Sequence, residues 1–154
     1  MTYLVVKWIH ILSSTLLFGT GLGSAYYMYF ASRTRDPRVV APVVRHVVIA
    51  DWIFTTPTIV IQPLTGFWLM HIAGFPFDTR WIAWSIALYL LAGAAWLPVV
   101  FMQMRMRDQA AAAARAGTPL PDLYWTYLRV WVALGVVAFL ALVVVFFLMV
   151  AKPV

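Results

Sequence analysis

Four long apolar stretches fill this chain almost end to end, with short connections of arginine, glycine, proline and aspartate between them. They cover about residues 3–31, 39–73, 80–104 and 121–151. Crossing the ~30 Å hydrocarbon layer of a bilayer takes about 20 apolar residues in a helix, and every stretch exceeds that. No water reaches the backbone inside hydrocarbon, so a spanning segment must satisfy its N–H and C=O groups internally, as a helix does. The expectation is an all-α, integral membrane four-helix bundle, one domain over residues 1–154. Charge agrees: 10% of the residues are charged, against about 25% in soluble domains, too few to cover a globular surface. The first stretch is longer than the apolar core of a signal peptide and has no basic segment ahead of it, so it reads as structure.

The connections define helix ends. Asp36-Pro37 is a helix start, an N-cap oxygen followed by a residue that needs no N–H partner. The second helix therefore begins at Pro37, with its first turns outside the hydrocarbon. Pro57 and Pro63 remove backbone donors inside it and predict kinks. Gly74 to Asp78 reads as a tight turn, with Asp78 or Thr79 capping the third helix. The alanine-rich run from Arg105 to Ala116 reads as an exposed extension of that helix, ended by Gly117-Thr118-Pro119. Arg33, Arg35, Arg38, Arg45, Arg105, Arg107 and Arg115 flank two of the connections, against Lys7, Arg80 and Lys152 on the other side. Cytoplasmic loops collect such cations. Both termini are thus expected on the periplasmic side of a multi-pass protein of the bacterial inner membrane. The net charge of +6 follows from that topology, and no nucleic-acid partner is expected.

Polar groups within spans are costly and each needs a reason. Lys7 and His10 share one face of the first helix, which continues through Ser14, Leu17, Gly21, Ser24 and Met28 and reads as bundle-facing. Gly19 and Gly23 form a Gly-xxx-Gly pair suited to close helix approach. Asp51 is the one acid well inside a span. Its depth matches that of Arg129 in the fourth, so an Asp51–Arg129 ion pair is expected, with Gln103, Thr55 and Thr56 around it, because neither charge is tolerable alone in lipid. Gln62 shares the depth of His10. His71 closes the second span on the outer side, Arg80 opens the third, and His46 reads as interfacial. Beyond Arg129 the fourth helix is almost wholly apolar and reads as packing.

Hydrolytic and thiol chemistry have no visible apparatus. There is no phosphate-cradling glycine loop, no His-Glu-x-x-His, no Ser-His-Asp set, no carboxylate pair and no cysteine. Histidines among apolar helices suit a cofactor that brings its own chemistry, and haem b with an imidazole axial ligand is the natural one.

Lys7-Trp8-Ile9-His10-Ile11 resembles the K-x-x-H-I opening of HemJ-type protoporphyrinogen oxidases, in the CopD-like superfamily of small helical membrane proteins. Gly66-Phe67-Trp68-Leu69 is similar to the end of their second helix, and Trp81-Ile82 to the start of their third. Over nearly the whole chain the sequence also resembles a bacterial family of predicted integral membrane proteins of unknown function, through Asp51-Trp52, Gln62-Pro63-Leu64-Thr65-Gly66 and Trp96-Leu97-Pro98. The first resemblance implies that His10 holds haem. The essential third-helix lysine of those oxidases falls at about Ser85, which can act neither as ligand nor as base, and this argues against protoporphyrinogen oxidase activity.

Three readings follow, in order of preference. The first is a b-type haem protein of electron transfer or haem-dependent oxidoreduction, with a membrane redox partner. In it His10 and His71 hold the iron, Lys7 or Arg80 meets the propionates, and Trp8, Trp68, Trp81 and Trp84 wall the macrocycle. The second is a cofactor-free structural or interaction protein forming a homodimer through its small-residue faces. The third is a proton or metal-ion pathway through Asp51, Arg129 and the histidines.

Overall fold

The computed structural model describes residues 1–153. It consists of α1 (Thr2–Arg33), α2 (Pro37–Ala50), a π-helical turn (Asp51–Thr55), α3 (Thr56–Ala73), α4 (Arg80–Ala116) and α5 (Asp122–Ala151). The segments α2, π turn and α3 are continuous, so the chain makes four antiparallel helical rods. All four are long and apolar enough to cross a membrane, and no strand occurs among the described residues. The all-α four-helix architecture read from the sequence is the one observed. One end of the bundle, here the basic end, carries the α1–α2 and α4–α5 connections. The other, the terminal end, carries both termini and the α3–α4 turn.

Local chemistry sets the helix ends. Asp36 Oδ1 accepts the Arg38 N–H at 2.9 Å, and Pro37 is the first helical residue of α2. Gly74 (φ 70°) and Gly117 (φ 65°) close α3 and α4 in the left-handed region, where a side chain would be strained. Thr79 occupies the N-cap of α4, but neither it nor Asp78 supplies a side-chain capping bond.

The two ends pack differently. At the basic end Met28, Val40, Val44, Met106, Ala110 and Tyr124 form a sealed core, pinned by a 2.7 Å bond between Ser32 Oγ and Tyr124 Oη. The Arg105–Ala116 run is therefore not the free extension expected. Met106, Ala110 and Ala113 are buried, because α2 and α5 pack along that face and cover it. At the terminal end the rods separate into pairs, α3 along α1 and α4 along α5.

Proline chemistry explains what joins and what bends the second rod. Pro63 has no N–H to offer the Ile59 carbonyl four residues earlier. Tyr89 of α4 donates its hydroxyl to that carbonyl instead, at 2.7 Å, and this bond is the chief tie between α3 and α4. Ahead of Pro57 the ladder widens: the Thr56 N–H reaches back five residues to the Asp51 carbonyl. The expected kink near Pro57 is thus taken up as a π turn. Such turns mark functional sites more often than chance.

Candidate functional site

Two polar groupings stand out, one at each level of the bundle. At the terminal level α3 presents Thr58, Gln62 and Thr65 as a buried stripe. They fall four and three residues apart, the spacing of one helix face. Gln62 Nε2 donates to the His10 carbonyl at 2.9 Å, and Ser13 Oγ donates to the same oxygen at 3.1 Å. His10 Nδ1 lies 2.8 Å from Thr65 Oγ1. The Thr65 hydroxyl donates its one proton to the Ile61 carbonyl at 2.7 Å, so its oxygen is left to accept Nδ1–H. In the tautomer that this arrangement assigns, Nε2 keeps a lone pair, with no hydrogen-bond partner among the described residues. The ring rests on Gly66, where an added Cβ would come within 3.4 Å of His10 Cε1.

The other residues expected around His10 are elsewhere. His71 is exposed in the last turn of α3, about 9 Å of helix rise beyond Thr65. The Lys7 ammonium sits over the Tyr3 ring, 5.8 Å from its centroid. Arg80 lines a shallow surface pocket with Asp78, Trp81 and Lys152. Trp8, Trp68 and Trp84 are exposed and face outward. The structure therefore joins His10 to Gln62, Thr65 and Gly66, and does not bring His71 or Arg80 to it.

At the middle level the expected Asp51–Arg129 ion pair is absent. Gln103, buried to 1% exposure, donates Nε2 to Asp51 Oδ2 at 2.6 Å. Trp131 Nε1 in turn donates to Gln103 Oε1 at 3.3 Å. Arg129 is exposed, and its guanidinium reaches only Thr126 Oγ1, at 3.5 Å. The reason is geometric: Arg129 is two turns from the start of α5, close enough for a long side chain to run outward to the interface. The one ion pair among the described residues is the surface pair Arg107–Asp108, at 2.8 Å. Thr56 Oγ1 donates to the Asp51 carbonyl at 3.0 Å, whereas Thr55 Oγ1 is buried without a partner.

Asp51, Thr55 and Gln103 stand on the wall of a cavity of about 320 Å³ that all four rods line and that opens to the outside past the exposed Leu22 and Val136, together with Tyr89, Trp96 and Trp131. Apart from Ser24 and Tyr29 the rest of its lining is apolar, and neither His10 nor His71 contributes. The indole Nε1 of Trp96 is also buried without a partner. Sequence reasoning missed this space and treated α5 as inert. A signal was present: Gly21, Gly93 and Gly135, on three different rods, all line the cavity and have nothing within 4 Å of where a Cβ would stand.

A family model described as "Predicted integral membrane protein (DUF2269)" matches residues 4–153. No curated protein matches the chain, and no solved structure does.

Proposed function

The chain belongs to the DUF2269 family of predicted integral membrane proteins, and from that premise we propose that it is a b-type haem-binding protein of the bacterial inner membrane, with both termini periplasmic, that exchanges electrons with a membrane redox partner. The observation that carries this reading is the state of His10. Ligating histidines hold one ring nitrogen on a protein acceptor and offer the other to the metal. Thr65 Oγ1, whose own proton is directed at the Ile61 carbonyl, can hold Nδ1–H in this way, and Nε2 has no protein partner among the described residues. The residues fit one axial ligand. Lys7, three residues before His10 on α1, is the cation best placed for a propionate, while Arg80 and His71 belong to other parts of the surface. Bound haem would supply one-electron exchange. The likeness of Lys7–Ile11 to HemJ-type proteins supports the same assignment, and Ser85 in place of their lysine directs it toward electron transfer.

The test is the reduced-minus-oxidised visible spectrum of protein purified from haem-replete cells. A b-type α-band is expected in the wild type and its loss in His10→Ala. Thr65→Val should keep the fold but loosen the ring, shifting the reduction potential or the retention of pigment. A colourless wild type would sink the proposal.

A second reading, a cofactor-free homodimer, draws on Gly19 and Gly23. Within the chain nothing lies within 4 Å of where their Cβ atoms would stand, so their close-approach surface is open to another helix. Sedimentation in detergent would decide it, with Gly19→Leu expected to shift the protein from dimer to monomer.

A further inference from the structure

Asp51 is the least compensated group in the bundle. It is 7% exposed, deep in the second rod, and no cation pairs with it among the described residues. Gln103 takes Oδ2 and leaves Oδ1 without a protein partner. A buried carboxylate with one neutral donor is an expensive arrangement unless something else answers its charge. Beside it lies the 320 Å³ cavity, at the lower end of the ~300–1,000 Å³ range of small-molecule sites. A second wall residue, Thr55, holds a buried hydroxyl oxygen with no partner among the described residues, an acceptor for the same kind of donor, whereas the unpartnered Trp96 Nε1–H is a donor and is not answered by a cation. The π turn carries both Asp51 and Thr55, and both line the same cavity.

We propose that the central cavity is a binding site for an organic ammonium carried on a compact apolar body. Its N–H groups donate to Asp51 Oδ1 and Thr55 Oγ1, and its apolar body fills the space lined by all four rods. Competing occupants fit less well. A metal ion needs several hard ligands, and no group of three or more His, Cys, Asp or Glu side chains gathers among the described residues. A neutral apolar molecule would fill the volume and leave Oδ1 unanswered. This site is separate from His10, so it stands or falls independently of haem.

The experiment is calorimetric titration of the full chain in detergent with 1-aminoadamantane, protonated at neutral pH, and with adamantan-1-ol, its neutral counterpart of the same shape. The amine should bind at least about tenfold tighter, the scale of one charge-assisted hydrogen bond. Asp51→Asn keeps the shape and an acceptor for Gln103, and should erase the preference. Gly135→Leu grows a side chain into the cavity from a position with open space around it, and should weaken both compounds. Equal binding of amine and alcohol, a preference that survives Asp51→Asn, binding that Gly135→Leu leaves untouched, or no saturable amine binding would each overturn the proposal.

Discussion

Replacing Tyr89 by phenylalanine removes one oxygen and leaves the ring in place, so it isolates the bond to the Ile59 carbonyl. Because Pro63 has no N–H, that carbonyl has lost its usual intrahelical donor, and the 2.7 Å bond from Tyr89 makes up the loss. A buried acceptor left unsatisfied costs about 1–3 kcal/mol. Side-chain hydrogen bonds measured inside a membrane protein average ~0.6 and reach ~1.7 kcal/mol. Tyr89→Phe should therefore destabilise the fold by about 1–1.5 kcal/mol. The reasoning makes a stronger demand when combined with Pro63→Ala. That change returns a backbone N–H to position 63, which can meet the Ile59 carbonyl from within α3, so the cost of Tyr89→Phe should shrink to about 0.5 kcal/mol or less. Unfolding in mixed micelles by increasing dodecyl sulfate, followed by far-UV circular dichroism, gives the four stabilities of the cycle. Equal costs of Tyr89→Phe in both backgrounds would refute the link between the proline and the tyrosine.

Ser32→Ala should destabilise by about 1–3 kcal/mol, because it leaves the fully buried Tyr124 hydroxyl without its 2.7 Å partner. Arg129→Ala, at an exposed residue that pairs with no acid, should change stability by no more than about 0.5 kcal/mol in the same assay. Gly66→Ala should be tolerated, since its Cβ would meet His10 at 3.4 Å, whereas the branched Gly66→Val should displace the ring and diminish any haem spectrum. The chain has no cysteine, so single cysteines report topology without background: Phe77→Cys should react with an impermeant maleimide in intact cells, and Thr118→Cys only after the membrane is opened.

The rods were legible in the sequence because their cause is one-dimensional. Length and apolarity decide what can cross a bilayer, and Asp36-Pro37, Gly74 and Gly117 mark ends through their own backbone preferences. Depth matching also set Gln62 beside His10, and it put Gln103 near Asp51, though only as a neighbour of an expected pair with Arg129. It failed for Arg129, because depth says nothing about whether a long flexible side chain turns inward or out. It failed for the cavity too. An empty volume arises where small residues of different rods happen to face one another, and no single stretch contains Gly21, Gly93 and Gly135 together. Nor did apolarity along α5 reveal that the Trp131 indole would donate to Gln103. The π turn was invisible for another reason: prolines announce a break in the ladder, not which way the helix resolves it.

That turn also sets a phase. Each residue of an α-helix advances the rotation by about 100°, so the extra residue held between Ala50 and Thr56 determines which side of α3 carries Thr58, Gln62 and Thr65. Deleting one residue there would restore an ordinary ladder and improve the helix locally. It would also swing the hydroxyl and amide stripe by about a quarter turn, off α1 and toward lipid, and His10 would lose both its carbonyl cap and its ring partner. Trp52, Ile53 and Phe54 are all exposed, so the packing of the bundle depends less on their side chains than on their number, and a single in-frame codon loss should do more damage than a substitution at any of the three.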